Sequence, residues 1–313
     1  MDERMIDRFR RRLSDGHVVV IDGGTGTELE ARGVPMHGAV WSALAVLDHH
    51  EIVRGVHEDY VSAGAEVIIA NTFTANRLAL EPVGFGGRVA EINRRAVEAA
   101  RQARENAADR DVLIAGSLTP HSTDGVPATQ PGRDRVIACF REQVAVQAEA
   151  GVDLFALEMV PSAWYGSAAL HAASESGLPV WLGLTAPSSP DLDETLTTLV
   201  ESLVCPAVTA VNVMHTAVDA VEPAVNAIQG CWSGVMGAYA HHGTWAPPHW
   251  IFGEISAEAY AAAALGWAQR GVQIIGGCCG IRPAHIRMLS EQLPSQIPKV
   301  ARVGLNLDVN PTP

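Results

Sequence analysis

Two adjacent cysteines, Cys278 and Cys279, are the residues of this sequence whose type and setting most directly suggest chemistry. They follow an apolar, β-rich stretch at 272–275 and two glycines, and a helix with Pro283 in its first turn comes next. A strand, a glycine turn and a helix in this order place reactive side chains at the carboxyl end of a strand. Two thiolates at one point favour a soft metal ion, most simply zinc.

The same cysteine pair has two other interpretations. Free cysteine is among the residue types most often buried, so the two thiols could simply fill space in a core. A strained vicinal disulfide is the third interpretation, although a reducing compartment disfavours it. Five cysteines at irregular spacing do not form a disulfide framework. The pair therefore indicates metal or redox chemistry without excluding packing.

Composition limits the classes of protein to which the chain can belong. Its 313 residues, 48% of them hydrophobic, suit a single α/β barrel with a sizeable core. A net charge of −13 disfavours nucleic acid and anionic membranes as partners. No apolar run reaches the roughly 18 residues of a membrane helix, and the charged amino terminus does not resemble a signal peptide. We expect a soluble, cytoplasmic protein that acts on small molecules.

A glycine-rich stretch follows the first predicted strand, in which residues 18–21 are all β-branched. Its position suggests a dinucleotide fingerprint, but that motif needs a glycine three residues beyond Gly26, where Leu29 stands. No acidic strand end follows about 20 residues later either. We reject the fingerprint. Asp22, beside open backbone amides at a strand end, better suits a small zwitterionic ligand.

Strand-like segments alternate with helical ones along the whole chain. The predicted strands are 18–21, 67–70, 112–115, 154–157, 179–184, 208–213, 234–239 and 272–275. The predicted helices are 3–13, 51–63, 88–108, 134–150, 162–176, 191–203, 217–228, 256–270 and one after the cysteine pair. This alternation, without a linker, predicts one domain over 1–313: a single (β/α)8 TIM barrel at about 17–293 with a tail at 294–313. An open doubly wound sheet is the alternative.

Polar residues stand at several of the predicted strand ends. Asn71 and Thr72 follow the second strand, and Glu158 ends the fourth. An acid at the end of an apolar strand is costly unless paired, so Glu158 is either part of a structural salt bridge or a ligand contact. The loop 120–133, with three prolines, is long enough for a lid or a partner contact.

Taken together, these motifs resemble the homocysteine S-methyltransferase family. The resemblance runs in order from about 17 to 293 through the stretches 22–27, 71–73, Glu158 and 276–280. The segment through 283–286 is especially similar to betaine-homocysteine and cobalamin-dependent methionine synthase members. The resemblance implies a zinc-dependent barrel in which the thiolate of homocysteine attacks an electrophilic methyl group.

The resemblance also implies roles for individual residues. It makes Cys278, Cys279 and Glu158 catalytic, and it makes both cysteines zinc ligands. It implies a substrate-binding set at the strand ends: Asp22, Gly23, Gly24, Thr25, Asn71, Thr72 and Glu158. Within that set, Asp22 and Glu158 would face the amino group of homocysteine, and backbone amides of Gly24 and Thr25 would face its carboxylate.

One ligand that the family uses is missing from this chain. The family holds zinc with three cysteines, the first of which follows an asparagine at the end of the sixth strand, whereas here Asn212 is followed by Val213. Valine cannot bind a metal. The remaining cysteines, Cys139, Cys205 and Cys231, occupy no predicted strand end.

Two histidines are candidates for the missing third ligand, and a site with two cysteines and one histidine is ordinary for zinc. We prefer His241, after the seventh strand, because that strand lies between the two zinc-bearing strands in barrel order. His215 lies two residues beyond Val213 and on the same face if the strand continues, but about 6–7 Å further along it. Zinc could also be lost, with His241 and His242 serving only as polar loop residues.

The predicted function is transfer of a methyl group from a small onium donor to the thiol of homocysteine or to a related thiol or selenol. S-methylmethionine, S-adenosylmethionine and betaine are the candidate donors. The segment 239–250, with Trp245 and Trp250, suggests an onium pocket, since aromatic faces attract such cations. The alternative is a barrel with a degenerate zinc site that binds an amino acid without catalysis. The short tail favours a monomer or a small homo-oligomer.

Overall fold

Eight segments rich in valine, isoleucine, leucine and alanine form a central sheet. The computed structural model describes residues 4–119, 131–160, 162–186, 192–253 and 255–297. The sheet strands are β1 (Val19–Val20), β2 (Val67–Ala70), β3 (Leu113–Leu118), β4 (Leu154–Leu157), β5 (Val180–Leu184), β6 (Val208–Ala217), β7 (Val235–His241) and β10 (Ile274–Gly277). They lie in the order β1-β10-β7-β6-β5-β4-β3-β2. Every neighbouring pair is parallel.

The two outer strands of that order, β1 and β2, meet and close the barrel. Ile21 pairs with Val67 in a parallel bridge. The amide of Asp22 donates to the Val67 carbonyl at 3.0 Å, and the amide of Glu66 donates to the Val20 carbonyl at 2.8 Å. The predicted (β/α)8 barrel is therefore confirmed, and the open sheet is excluded.

Helices cover the outside of the sheet, most of them where the sequence predicts. They are α1 (Met5–Ser14), α2 (Thr25–Ala31), α3 (Ala45–Asp48), α4 (His50–Ser62), α5 (Arg77–Leu80), α6 (Val89–Ala107), α7 (Arg133–Ala150), α8 (Ala163–Ser174), α9 (Leu192–Leu203), α10 (Val221–Gln229), α11 (Ala257–Gln269) and α12 (Pro283–Gln292). Short 3₁₀ turns span Gly86–Arg88 and Val218–Ala220. No described helix has the length and apolarity needed to span a membrane.

The structure adds elements that sequence patterns missed. The short helices α2, α3 and α5 are only 7, 4 and 4 residues long, too short to establish a helical period. An antiparallel hairpin, β8 (Gly243–Ala246) and β9 (His249–Phe252), replaces the loop expected after β7. Of the predicted lid at 120–133, residues 120–130 lie outside the described residues, as do residues 298–313 of the tail.

Alternation along the strands separates two apolar layers. On β6, Ala210 and Met214 belong to the cluster inside the barrel, whereas Val211 and Val213 pack into the layer between sheet and helices. The amphipathic helix α1 also contributes to the inner cluster, where Phe9 stacks on Trp181 with ring centroids 6.1 Å apart. Because Trp181 lies near the start of β5, α1 covers the amino-terminal end of the barrel and leaves the carboxyl end for a site.

Candidate active site

A cavity of about 330 Å³ lies at the carboxyl ends of the strands. Its walls are formed by Gly23, Gly24, Thr25, Gly26, Trp41, Ser42, Ile69, Ala70, Asn71, Phe73, Ser117, Glu158, Met159, Met214, His215, Tyr239, Trp245, Trp250, Gly277, Cys278 and Cys279. The predicted residues Gly23, Gly24, Thr25, Asn71, Glu158, His215 and both cysteines are among them. Asp22, Thr72 and His241 are not among the described lining residues.

The cysteine pair is held by a tightly bonded turn after β10. The amide of Cys278 donates to the Ala240 carbonyl at 2.8 Å, which extends the pairing with β7. Gly280 has φ of 81°, and a Cβ there would overlap the carbonyl oxygen of His242. At Gly276 a Cβ would collide with the side chain of Ile21. The glycines around the cysteines are therefore required by the backbone geometry.

His215 reaches the cysteines through an irregular backbone. The pairing of β6 with β7 shifts register between Met214 and Ala217, and His215 itself has φ of 44°. Its Nδ1 lies 3.4 Å from the Sγ of Cys278. The sequence argument placed His215 on the face of Val213, but Val213 packs under the helices. The left-handed residue breaks the strand alternation and turns the imidazole into the cavity.

The three side chains form a compact group of metal-ligand atoms. The Sγ atoms of Cys278 and Cys279 are 3.9 Å apart, and the ligand atoms of His215, Cys278 and Cys279 all lie within 4.8 Å of one another. Tetrahedral zinc, with bonds of about 2.3 Å to sulfur and about 2.0 Å to nitrogen, separates two sulfurs by about 3.8 Å and sulfur from nitrogen by about 3.5 Å. The spacing and chemistry of these donors fit zinc.

His241 lies beside this group rather than in it. Its ring centroid is 4.6 Å from that of His215, with the rings tilted by 51°. The ring of Trp250 contacts both imidazoles edge-on, at 5.9 Å from His215 and 5.6 Å from His241. Burial and the neighbouring His215 lower the pKa of His241. The geometry thus points to His215 as the nearer third donor.

The thiol and imidazole influence each other's protonation. A hydrogen bond from Cys279 and the adjacent His215 lower the pKa of the Cys278 thiol, although burial opposes this change. Burial is the largest single influence and lowers the pKa of His215, but Cys278 and Glu158 together outweigh burial and raise it. Cys278 is therefore the thiol of the pair that more readily becomes a thiolate.

Glu158 is the acid that faces the cavity. It follows β4 and is only 6% exposed. The Ser117 hydroxyl donates to its Oε2, and the nearby Tyr239 hydroxyl favours the ionised carboxylate. Burial is the main cause that raises the pKa of Glu158 to about 7, and the nearby Cys278 contributes to this rise. No ion pair of the described residues involves Glu158, and its bond from Ser117 comes from a hydroxyl.

Asp22 lies next to the cavity wall formed by Gly23, Gly24 and Ile69. Its Oδ2 accepts the amide of Ile69 at 2.7 Å, while its Oδ1 is buried without a partner. Burial is the main cause that raises the pKa of Asp22 well above its ordinary value. A buried carboxylate oxygen without a partner can accept a hydrogen bond from a ligand.

The other predicted binding residues have structural partners. Asn71 and Ser42 exchange two hydrogen bonds of 2.8 Å each. Thr72 ties the end of β2 to β3, since its hydroxyl donates to the Ser117 carbonyl at 2.9 Å and accepts the Ser117 amide at 3.0 Å. The amide of Gly24 donates to the Ile281 carbonyl at 3.0 Å, which leaves it engaged rather than open to a carboxylate.

Backbone strain is concentrated around the cavity. The non-glycine residues with positive φ in the described chain are Trp41 at 46°, Met159 at 50° and His215 at 44°, and all of them line the cavity. Such conformations persist only where the surroundings impose them, and they gather at functional sites. Sequence reasoning missed Trp41, Ser42 and Met159, because no strand-end position marks the first two and Met159 lies one residue beyond the predicted strand end.

The hairpin brings two tryptophans into the wall. Trp245 of β8 pairs with Trp250 of β9, and the ring of Trp245 meets that of Trp41 edge-on at 6.0 Å. Glu30 of α2 anchors the hairpin, since its carboxylate accepts the amide of Trp250 at 3.1 Å and contacts Nδ1 of His249 at 2.8 Å. The predicted aromatic segment therefore does reach the cavity.

Comparison with known proteins agrees with this architecture. The family described as "Homocysteine S-methyltransferase" matches residues 19–293. The chain belongs to the homocysteine S-methyltransferase family. It is 30% identical to Homocysteine S-methyltransferase 4 of Zea mays, over 88% of this chain and 89% of that protein. It is 28% identical to the selenocysteine methyltransferase of Astragalus bisulcatus, over 90% of this chain and 94% of that protein.

Solved structures show the same barrel. The oxidized form of the homocysteine methyltransferase MmuM from Escherichia coli has a TM-score of 0.76 at 26% identity, over 90% of this chain and 98% of that chain. The metallated form of MmuM has a TM-score of 0.74 at 24% identity, over 90% and 99% respectively. These homocysteine S-methyltransferases share the fold of the present chain over nearly its full described length.

Proposed function

We propose that this chain transfers a methyl group from a small onium donor to the thiol of homocysteine, or to a closely related thiol or selenol. The observation that carries the proposal is one cavity in which the His215, Cys278 and Cys279 donor group faces the buried carboxylate of Glu158. Similarity to homocysteine and selenocysteine methyltransferases supports the same acceptor chemistry. A barrel that only binds an amino acid would not need a complete set of soft metal donors.

His215, Cys278 and Cys279 would hold zinc, because their donor atoms have the spacing and softness that zinc takes. When bound, zinc lowers the pKa of a thiol or selenol that joins it, so that this group is nucleophilic at neutral pH. The similar protein MmuM has a metallated form, which supports a metal in the present chain.

The amino-acid end of the acceptor would lie against Glu158 and the adjoining wall. Glu158 would accept hydrogen bonds from the ammonium group, since its carboxylate lines the cavity and is oriented by Ser117. The unpartnered Oδ1 of Asp22 is a second acceptor next to that wall. Thr25, the first residue of α2, would offer a helix-terminal amide to the carboxylate in place of the engaged amide of Gly24.

The donor would lie against the aromatic wall. Trp41 and Trp245 meet nearly at right angles, 78°, and their faces suit a sulfonium or quaternary ammonium cation. No lysine or arginine occurs among the described lining residues, which disfavours an anionic donor. In the transfer, the acceptor thiol loses its proton, a sulfur–carbon bond forms and the methyl–onium bond breaks. The bonding pair stays on the donor atom, which leaves without its positive charge.

The test combines each candidate methyl donor with each candidate acceptor in the presence of zinc-loaded protein. Deuteromethyl forms of S-methylmethionine, S-adenosylmethionine and betaine are each incubated with homocysteine, selenohomocysteine, selenocysteine and butanethiol. Mass spectrometry should show the label on an amino-acid acceptor. Glu158→Gln should reduce kcat/KM for homocysteine much more than for butanethiol, which lacks the ammonium group. Stoichiometric zinc without transfer from any donor to any acceptor would overturn the proposal.

Free thiols at the site suit a reducing compartment, so we place the protein in the cytoplasm as part of the same proposal. The proposed assembly is a monomer or a small homo-oligomer, with small molecules rather than nucleic acids or membranes as partners. Light scattering after size-exclusion chromatography measures the assembly directly, and a large oligomer would contradict it.

A further inference from the structure

We infer that His241 is a positioning residue that packs against the ring of His215, and so aims the third donor at Cys278. This inference rests on the metal site of the proposed function. It assigns His241 a role as a neighbour of the ligand set rather than as a member of it. Four features of the described residues support it: the bulge, the left-handed His215, the ring contacts and the location of His241 where pairing resumes after the bulge.

The first step concerns why His215 needs support. Regular alternation on β6 directs Val213 into the helix layer and Met214 into the barrel. The strand then holds one more residue than its partner, because Met214 pairs with Tyr239 and the next pairing joins Ala217 to His241. His215 and Thr216 form this bulge, and His215 has φ of 44°. A non-glycine residue keeps that conformation only where its surroundings impose it.

The second step concerns what surrounds the bulge. On one side, the Thr216 hydroxyl donates to the Met214 carbonyl at 2.9 Å and accepts the amide of Ala186 at 3.0 Å. On the other side, His241 occupies the β7 position where pairing resumes. Its Nδ1 is buried without a hydrogen-bond partner among the described residues, so its contact with the bulge is one of packing. The bulge is thus held from both neighbouring strand ends.

The third step concerns the imidazole ring itself. The ring of His241 packs against that of His215 at 4.6 Å, and Trp250 lies across both rings. Trp250 is in turn fixed by the bond from its Nε1 to the His242 carbonyl at 3.1 Å. His241 and Trp250 therefore restrain the ring plane of His215. Groups that orient a ligand in this way typically change metal affinity by about 10- to 100-fold when removed.

The experiment compares metal binding in four purified full-length proteins: wild type, His241→Ala, His241→Gln and His215→Ala. His242→Ala is the matched control, since it removes a histidine from the adjacent position. Zinc affinity is measured by competition with a chromophoric chelator. The coordination sphere is read from the charge-transfer and d–d absorption bands of the cobalt(II) forms. Circular dichroism of the chelator-treated proteins reports whether each variant folds.

We expect His241→Ala to lower zinc affinity by about 10- to 100-fold while its cobalt bands at saturation match those of wild type. The side chain of His241→Gln can still pack against the His215 ring in part, so this variant should recover part of the affinity. His215→Ala should change the bands, because a nitrogen donor is lost. His242→Ala should match wild type.

Two outcomes would overturn the inference. If His241→Ala binds zinc as tightly as wild type, His241 does not position His215. If its saturated cobalt spectrum instead shows the loss of a nitrogen donor, His241 is itself a ligand. Neither outcome depends on turnover, so a failure here is distinct from a failure of wild-type protein to methylate thiols.

Discussion

The ends of β10 and β6 bring donor atoms to one point from very different backbones. Cys278 follows β10 directly, and its amide continues the ladder to β7 through Ala240. On β6 the ladder is interrupted by a bulge, and His215 adopts a left-handed conformation that costs roughly 1–2 kcal/mol for a non-glycine residue. The backbone at the end of β10 is determined by the glycines around the cysteines, whereas the backbone at the end of β6 is determined by contacts with the neighbouring strand ends. Disturbing each end separately should therefore have different consequences.

The largest effect is expected at the β10 end. Cys278→Ser replaces a soft thiolate with a hard hydroxyl, so zinc should be lost and methyl transfer should fall by roughly 10³-fold, equivalent to several kcal/mol of transition-state stabilisation. Metal analysis of the purified protein and initial rates measure both quantities. Cys231→Ser, remote from the cavity lining, is the control. Full zinc content in Cys278→Ser would show that β10 is not the primary donor strand.

At the β6 end, His215→Ala should lower zinc affinity by roughly 10²-fold or more, since losing a ligand costs at least as much as losing its support. Adding Val213→Cys, which supplies the cysteine implied by the family resemblance, should not restore affinity. Residue 213 faces the helix layer and directs its side chain away from the cavity. Competition titrations of the single and double variants test this. Recovery in the double variant would mean that the bulge can shift.

The backbone requirement at the β10 end can be tested through its glycine. Gly280→Ala should lower the free energy of unfolding by about 1–3 kcal/mol, because φ is 81° and the new Cβ would meet the His242 carbonyl. Gly266→Ala, in open space on α11, is the matched control and should be neutral or stabilising by up to about 1 kcal/mol. Urea titrations measure both. Equal effects would contradict a local backbone requirement at the cysteine turn.

The smallest expected effect is on the pH dependence of stability, and it comes from Glu158, whose pKa is influenced by Cys278 and His215. Its pKa is raised from 4.5 to about 7, so between these values the folded protein holds a proton that the unfolded chain has released. This group's stabilising contribution is therefore present below pH 4.5 and is lost as pH rises through 7.

Glu158→Gln, which cannot ionise, should gain about 1–2 kcal/mol relative to wild type between pH 5 and pH 8. Thermal unfolding of chelator-treated proteins across this range is the measurement. A stability difference that is independent of pH would show that Glu158 titrates normally in the folded state.

The sequence predicted the barrel and the β10 end because both are encoded locally. Runs of β-branched residues specify strands, and the glycines around Cys278 and Cys279 specify a turn. Glu158 was found because a buried strand rarely ends in an acid.

The β6 end could not be predicted in the same way. The choice between His215 and His241 depends on a bulge, and the bulge depends on pairing with β7 that no local pattern records. Trp41 was missed for a similar reason, since it lies outside strands and helices and reaches the cavity through its own left-handed backbone. The hairpin strands are only 4 residues each and enclose two prolines, which resembles a loop in sequence.

The helix that plugs the amino end of the barrel has a kinetic consequence. With Phe9 and Trp181 filling that end, both reactants and both products pass through the opposite mouth, beneath the tryptophans of the hairpin. In the proposed arrangement, with the acceptor beside Cys278 and the donor under the tryptophans, the acceptor would enter before the donor and leave after it. A closed amino end would then impose ordered kinetics, in which the methylated acceptor leaves after the spent donor.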